Sequence, residues 1–189
     1  MEPWKLNLQT SDFDFQREVL PNVSASLPAG EVVSVETEGV ITQTSTTGTA
    51  AVLDQDAGID LLIRTSSGVT TVAARVSYWS TPAYATFTVG ERELEKRRRE
   101  LANEEAIGPY FTVQGTVTER QTGTFVYGAV VATRELVTFI DSFPDLVEER
   151  RNSISGKRFK VVWAKFLLEQ GFRVDVYVAP NAVPILGWP

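Results

Sequence analysis

The chain of 189 residues contains no histidine and no cysteine. The absence of histidine excludes Ser-His-Asp triads, imidazole zinc sites and nucleases with a histidine base. The absence of cysteine excludes thiol nucleophiles, thiolate zinc sites, iron–sulfur clusters and disulfides. If the protein is an enzyme, its chemistry therefore rests on carboxylates with a hard cation such as Mg²⁺, or on Lys, Arg, Ser, Thr or Tyr.

Long apolar runs are missing as well, because no stretch approaches the ~20 residues that a bilayer span needs. The segment Met1–Lys5 has neither a basic nor an apolar targeting region. We therefore expect a cytoplasmic protein without a membrane partner. The formal charge of −6 argues against uniform coating by nucleic acid, but it allows a local basic patch.

The spacing of apolar residues and of Gly and Pro predicts one α+β domain over residues 1–179, with a mixed central sheet flanked by helices. A proline-rich tail follows over residues 180–189. The predicted helices cover residues 11–20, 91–106, 135–151 and 164–170, and the third of them is interrupted by a proline. The predicted strands cover residues 31–45, 58–64, 69–79, 110–117, 124–133, 158–163 and 172–178.

The most informative stretch is the predicted hairpin of residues 58–79. Asp60 lies in an apolar strand between Ile59 and Leu61. A charge at such a position needs a partner or a bound cation, because its desolvation is costly. Arg75 on the second strand of the hairpin is a candidate partner, so a structural ion pair between Asp60 and Arg75 is one interpretation. A cation site at Asp60 is the other.

Short motifs around this hairpin follow one another in an order that resembles the PD-(D/E)XK nuclease-like superfamily, especially small degenerate members from phage and mobile elements. The motifs are Glu18-Val19-Leu20-Pro21, Gly58-Ile59-Asp60, Ala73-Ala74-Arg75-Val76, Phe87-Thr88-Val89 and Glu93-Leu94-Glu95-Lys96. The resemblance covers residues 11–100. It implies a restriction-endonuclease-like core, action on nucleic acid with Mg²⁺ or Mn²⁺, and a place in the host cytoplasm or the virion.

The resemblance also implies roles for individual residues. Asp60 corresponds to the catalytic, metal-binding aspartate, and Glu18 is the candidate helix carboxylate that assists as a second metal ligand. The position of the strand glutamate is occupied by Ala73, and Arg75 replaces the catalytic lysine. An arginine stays protonated, so it is a poor base, although it can clamp a phosphate.

Glu93 and Lys96 would restore the missing catalytic groups, because residues three apart share one face of a helix. The alternative for this pair is an ordinary surface salt bridge. Two basic clusters are candidate contacts for nucleic-acid phosphates, unless they only form solvated surfaces. Their residues are Arg97, Arg98, Arg150, Arg151, Lys157 and Arg158.

Four aromatic residues follow the hairpin, and they either stack on bases or fill the core. They are Tyr78, Trp79, Tyr84 and Phe87. In the tail, Ile185, Leu186 and Trp188 either pack on the domain or bind a protein partner or a second copy. The rival to a nuclease-like function is therefore a non-catalytic phage structural, assembly or docking protein that uses the same fold.

Overall fold

The computed structural model describes residues 10–35, 58–78, 85–103, 105–153, 155–180 and 182, and these form an α+β fold. The helices are α1 (residues 10–23), α2 (Glu91–Leu101), α3 (Thr133–Ser142) and α4 (Ala164–Glu169). The strands are β1 (Glu31–Ser34), β2 (Leu61–Thr65), β3 (Gly68–Tyr78), β4 (Thr86–Gly90), β5 (Phe111–Val117), β6 (Phe125–Ala132), β7 (Glu148–Arg151), β8 (Arg158–Trp163) and β9 (Val174–Val178).

The predicted mixed central sheet is confirmed, and it has six strands in the order β1-β2-β3-β5-β6-β9. All neighbours are antiparallel except β3 and β5, which are parallel. A parallel pair needs a crossover connection, and here the crossover contains β4 and α2. The predicted hairpin becomes β2 and β3, which both lie inside the sheet. Among the described residues, no helix is long and apolar enough to cross a membrane.

The two faces of this sheet are covered differently. Helix α1 packs Phe15, Val19 and Val23 against one face. The other face packs against residues of α2, α3 and α4 and of an antiparallel three-stranded sheet, β4-β8-β7. The resulting arrangement is one helix, the large sheet, and a mixed layer that holds the small sheet.

Two glycines let α1 approach the large sheet closely. Gly115 of β5 and Gly128 of β6 are partners in the antiparallel register. A Cβ atom on Gly115 would lie 2.3 Å from a methyl carbon of Val19, and one on Gly128 would lie 2.5 Å from a methyl carbon of Val23. Side chains at either position would therefore push the helix away from the sheet.

The predicted helix of residues 135–151 is wrong in its second half. Helix α3 ends at Ser142, a 3-10 turn covers Pro144–Leu146, and the chain then forms strand β7. Phe143 leaves the helical region with φ −129° and ψ 57°, because a residue before proline is hindered in the α conformation. The segment that follows is free to pair with β8 instead.

Two other predicted boundaries also differ, and the end of the predicted 31–45 strand lies outside the described residues. Helix α2 ends at Leu101 rather than at residue 106, since Asn103 accepts a hydrogen bond from Glu105 N in a local turn. Pro21 does not end α1. It lies in the first turn of the segment Leu20–Val23, which follows a π-helical turn, Phe15–Val19. A proline is tolerated in a first turn because a backbone N–H there would have no acceptor within the helix. Only the first part of the predicted 31–45 strand is described, as β1.

Candidate functional site

A cleft of about 430 Å³ opens between the start of β2, strand β3 and helix α2, and we call it the Asp60 cleft. Its charged lining residues are Asp60, Arg75, Arg92, Glu93, Lys96 and Arg97. The structure thus brings together all four residues for which the sequence predicts a catalytic role: Asp60, Arg75, Glu93 and Lys96. The lining also includes Ala73, which stands at the position of the strand glutamate.

Backbone pairing positions Asp60 at the edge of this cleft. Asp60 N donates to Val72 O at 2.9 Å, and Val35 N donates to Asp60 O at 2.9 Å. The next residue, Leu61, packs in the core under α1. Because successive side chains of an extended chain point to opposite faces, Asp60 is directed to the α2 side. There its Oδ2 accepts a hydrogen bond from Ala74 N at 2.6 Å.

Arg75 contacts a different carboxylate from the one proposed on the sequence alone. Its Nη2 donates to Oε2 of Glu93, the first-turn carboxylate of α2. Glu93 Oε2 also accepts from Gly90 N at 3.4 Å. The ion pair of Arg75 therefore ties β3 to α2 across the cleft, so Glu93 is not part of an isolated helix salt bridge.

Arg97 is a structural residue, which corrects its assignment to a nucleic-acid contact. The residue is 3% exposed. Its Nη1 donates to Glu100 Oε2 at 2.7 Å, and its Nη2 donates to Gly58 O at 3.1 Å. Arg97 Nη2 also lies 3.9 Å from Oε1 of Glu93. The guanidinium thus holds α2 against the segment that leads to Asp60.

Arg98 is likewise occupied within the fold. Its Nε donates to Asp141 Oδ1 at 3.0 Å and joins α2 to α3. Arg98 lines neither the Asp60 cleft nor the larger cavity that adjoins it, which is described next. Arg98 therefore lies outside both cavities, and its contact with a phosphate stays a prediction.

A second and larger cavity, of about 710 Å³, adjoins the Asp60 cleft, and we call it the basic groove. It lies between the start of α2, the end of β4 and the β7–β8 hairpin. Arg75, Arg92 and Glu93 line both cavities. The groove adds the predicted contacts Arg151, Lys157 and Arg158, as well as Phe159.

Three cations of the basic groove form no ion pair with a carboxylate in the part of the chain that the structure describes: Arg92, Arg151 and Lys157. Other groove cations are matched, since Arg158 donates to Glu91 at 3.1 Å. Arg150, also a predicted phosphate contact, binds Glu148 at 2.9 Å and is not among the lining residues. On a protein of net charge −6, this is a local excess of positive charge.

Glu18 lies on the opposite side of the large sheet from Asp60, because it belongs to α1. Its Oε1 accepts from Arg17 Nε at 2.8 Å, and its Oε2 accepts from Phe125 N at 3.2 Å. The predicted pairing of Glu18 and Asp60 as metal ligands is therefore not formed. Within the described ranges, no group of three or more acidic side chains is placed to hold a metal ion.

The aromatic residues that follow the hairpin, for which stacking on bases and core packing were the alternatives, serve the core where they are described. Phe87 is fully buried between the two sheets. Tyr78 donates its hydroxyl to Asp14 Oδ2 at 2.9 Å on the α1 side, and burial raises the pKa of Tyr78. Trp79 and Tyr84 lie outside the described residues, as do the tail residues Ile185, Leu186 and Trp188.

Two groove residues were not identified from the sequence, Arg92 and Phe159. A signal for Arg92 was present, because it stands four residues before Lys96 and so shares a helix face with it. Phe159 follows two basic residues in a strand, a pattern that does not reveal whether the ring is covered.

Comparison of the chain with protein-family models, with curated proteins and with solved structures gives no match.

Proposed function

We propose that the protein binds nucleic acid through the basic groove, as a degenerate nuclease-like protein of the PD-(D/E)XK kind that has lost the metal-dependent site. The observation that carries the proposal is a set of three cations on one concave surface, Arg92, Arg151 and Lys157, none of which forms an ion pair with a described carboxylate. The phosphates of a nucleic acid neutralise such cations. The counterions condensed on the nucleic acid are then released into solution, which favours binding. The rest of the protein is acidic, so the attraction would be confined to the groove.

The arrangement around Asp60 supports the relationship to nucleases. Asp60 precedes β2, and Ala73 and Arg75 lie on the adjacent strand β3, where the superfamily would place its strand glutamate and lysine. The restriction-endonuclease-like core remains part of this proposal. Glu93 and Lys96 of α2 face the same cleft, which is the placement that a relocated site would require.

The donor set does not fit a magnesium site, and for that reason we propose binding rather than cleavage. Mg²⁺ uses one or two carboxylates together with water and substrate phosphates. Here Asp60 Oδ2 accepts the Ala74 N–H, and Glu93 is bound to Arg75. Further cations line the same cleft, and their charge opposes that of a divalent ion.

Arg75 lies at the junction of the two cavities, where a phosphate would share its guanidinium with Glu93. Its side chain is 44% exposed and already points a guanidinium at an oxyanion, Glu93. A guanidinium forms paired hydrogen bonds with phosphate as readily as with carboxylate. The proposed path of a strand therefore runs from Arg151 and Lys157, past Arg92, to Arg75.

The proposal is tested by binding of a labelled oligonucleotide, measured by fluorescence anisotropy over a series of salt concentrations. The double variant Arg92→Glu, Lys157→Glu should bind about tenfold or more weakly, and the slope of log K against log salt should fall by at least about 1.4. The matched control is Arg134→Glu, Arg173→Glu, two exposed cations outside both cavities. Equal losses in both double variants, or no binding by the natural protein, would overturn the proposal.

Loss of cleavage is tested separately. We expect no cutting of oligonucleotides or plasmid by the purified protein with Mg²⁺ or Mn²⁺, and no rise of its melting temperature with either ion. Asp60→Asn and the control Asp145→Asn should behave alike in both assays. Cutting that requires a divalent ion and disappears only in Asp60→Asn would show that the site is an active nuclease.

A further inference from the structure

Phe159 is the aromatic residue in the wall of the basic groove, and its ring is only partly covered. It lies in β8, where its register partners are Gly90 of β4 and Arg150 of β7. Gly90 contributes no side chain beside the ring, and the side chain of Arg150 is bound to Glu148. The Phe159 ring is half-buried, whereas two other apolar positions of β8, Val161 and Val162, are buried.

The neighbours of this ring are cationic. Lys157 and Arg158 precede it in sequence, and its register partner in β7 is Arg150, while Arg151 is the partner of Arg158. Arg150, Arg158 and Lys160 are bound to carboxylates of the fold. Arg92 and Lys157 line the same groove and form no ion pair with a described carboxylate. A partly exposed aromatic ring in a groove that also holds such cations is the combination by which proteins hold single-stranded nucleic acid, since the cations take the phosphates and the ring stacks on a base.

We propose, building on the nucleic-acid binding proposed above, that the basic groove accepts a single strand and that one of its bases stacks on Phe159. The bases of a duplex are stacked on one another, so they offer no free face to the ring. The groove volume of about 710 Å³ lies within the range of small-molecule pockets, which suits one or two nucleotides of a flexible strand. A duplex would contact the rim alone.

Substitutions at Phe159 test the stacking directly, with oligonucleotides of about ten nucleotides. Phe159→Leu keeps an apolar side chain but removes the aromatic face, and Phe159→Trp keeps an aromatic face. We expect Phe159→Leu to weaken single-strand binding about tenfold and Phe159→Trp to restore it. Duplex binding should be the same in all three proteins. Phe166→Leu, a partly buried ring outside both cavities, is the control, and melting temperatures verify folding.

The outcomes separate this inference from the proposed function. Single-stranded DNA, single-stranded RNA and a hairpin duplex are compared. A preference for either single strand over the duplex supports the inference, and the tighter of the two single strands shows whether the ligand is DNA or RNA. If the duplex binds as tightly and Phe159→Leu has no effect, while Arg92→Glu, Lys157→Glu still abolishes binding, then the single-strand inference fails and the proposed function stands. If none of the three oligonucleotides binds, both fail.

Discussion

The two faces of the six-stranded sheet carry charge in different ways. On the α1 side, the carboxylates Asp14 and Glu18 are both occupied by hydrogen-bond donors of the fold. On the α2 side, Arg92, Arg151 and Lys157 form no ion pair with a described carboxylate, although acidic residues outnumber basic ones in the chain. Charges that hold a fold together are paired within it, whereas a surface that binds an ion leaves its charges to be paired by the ligand.

Asp14 shows what a structural charge looks like in this protein. It is fully buried, and besides Tyr78 it accepts a hydrogen bond from the backbone N of Gln121 at 3.0 Å. Arg17 lies 3.8 Å from Asp14 Oδ1. Gln121 has a positive φ of 65°, so the carboxylate holds a strained turn between β5 and β6 against α1.

The largest effect that separates the two faces should come from Asp14→Ala. The substitution leaves the Gln121 N–H and the Tyr78 hydroxyl without their acceptor, and it should lower the free energy of unfolding by about 3 kcal/mol. Urea denaturation measures this loss. Oligonucleotide affinity at a temperature where the variant is folded should stay unchanged. A loss of oligonucleotide affinity as large as that of Arg92→Glu, Lys157→Glu would contradict the view that the α1 side stabilises the fold and the groove side binds the ligand.

Gly115→Ala should have the next largest effect. The added methyl group would collide with Val19, so α1 must shift, and the cost should be about 2 kcal/mol. Gly90→Ala serves as a contrast, because the nearest atom to its Cβ would be 3.8 Å away. Thermal denaturation of the two variants should give a clear fall in melting temperature for Gly115→Ala and a fall of much smaller size for Gly90→Ala.

A paired carboxylate on the groove side should behave structurally too. Trp163 Nε1 donates to Glu148 Oε1 at 2.6 Å, and this hydrogen bond, together with that from Arg150, holds the pKa of Glu148 below the ordinary value of a glutamate. A lowered pKa in the folded state means stability that is present at neutral pH and is lost as the pH falls below about 4. Glu148→Gln should therefore cost about 1 kcal/mol at pH 7, reduced by solvent screening, and almost nothing at low pH.

The pH dependence of this effect is the informative part. Melting curves of the natural protein and of Glu148→Gln, recorded at neutral pH and again well below pH 4, should converge at the acidic end. A constant difference between them would mean that the charge of Glu148 contributes nothing.

The basic groove itself should show the reverse behaviour. Since Arg92 and Lys157 satisfy no carboxylate of the described fold, Arg92→Glu, Lys157→Glu should change the free energy of unfolding by less than about 0.5 kcal/mol. Urea denaturation of the double variant, set beside its loss of oligonucleotide affinity, completes the comparison with Asp14→Ala. A double variant that unfolds readily would show that these cations are structural.

The smallest effect on folding should follow from removing residues 183–189. Ala182 packs at the edge of the core and is retained in this variant. We expect unchanged melting and unchanged oligonucleotide binding, and size-exclusion chromatography reports whether an assembly is lost. A marked fall in melting temperature would show that Ile185, Leu186 and Trp188 pack on the domain itself.

Much of the fold was accessible from local patterns. Alternation and turn residues located the β2–β3 hairpin, and α4 ends within one residue of the predicted 164–170 helix, before Gly171 with its φ of 81°. The strand β7 was missed because Glu148–Arg151 is charged and continues a helical composition, and only its pairing with β8 makes it a strand. Pairing between strands depends on two segments, so the composition of either segment alone does not predict it.

The candidate site divides in the same way. Spacing along the chain put Glu93 and Lys96 on one face of α2 and put Asp60 and Arg75 in one hairpin, but only the packing of α2 on β3 brings the two pairs into one cleft. Residue type alone could not tell Arg97, which is buried, from Arg92, which faces the groove five residues earlier. It also could not show that Glu18 is behind the sheet, because which face a helix covers depends on packing between segments far apart in sequence.

By itself, the sequence determined what chemistry is open to this protein and which local elements it forms. Without histidine and cysteine only carboxylates, amines, guanidinium groups and hydroxyls remain, and apolar periodicity with Gly and Pro is a local property of the chain. The tertiary structure alone decided which charges are neutralised. Ion pairs such as Arg75–Glu93 and Arg158–Glu91 join separate elements, because electrostatic energy depends on distance in space and not on separation along the chain.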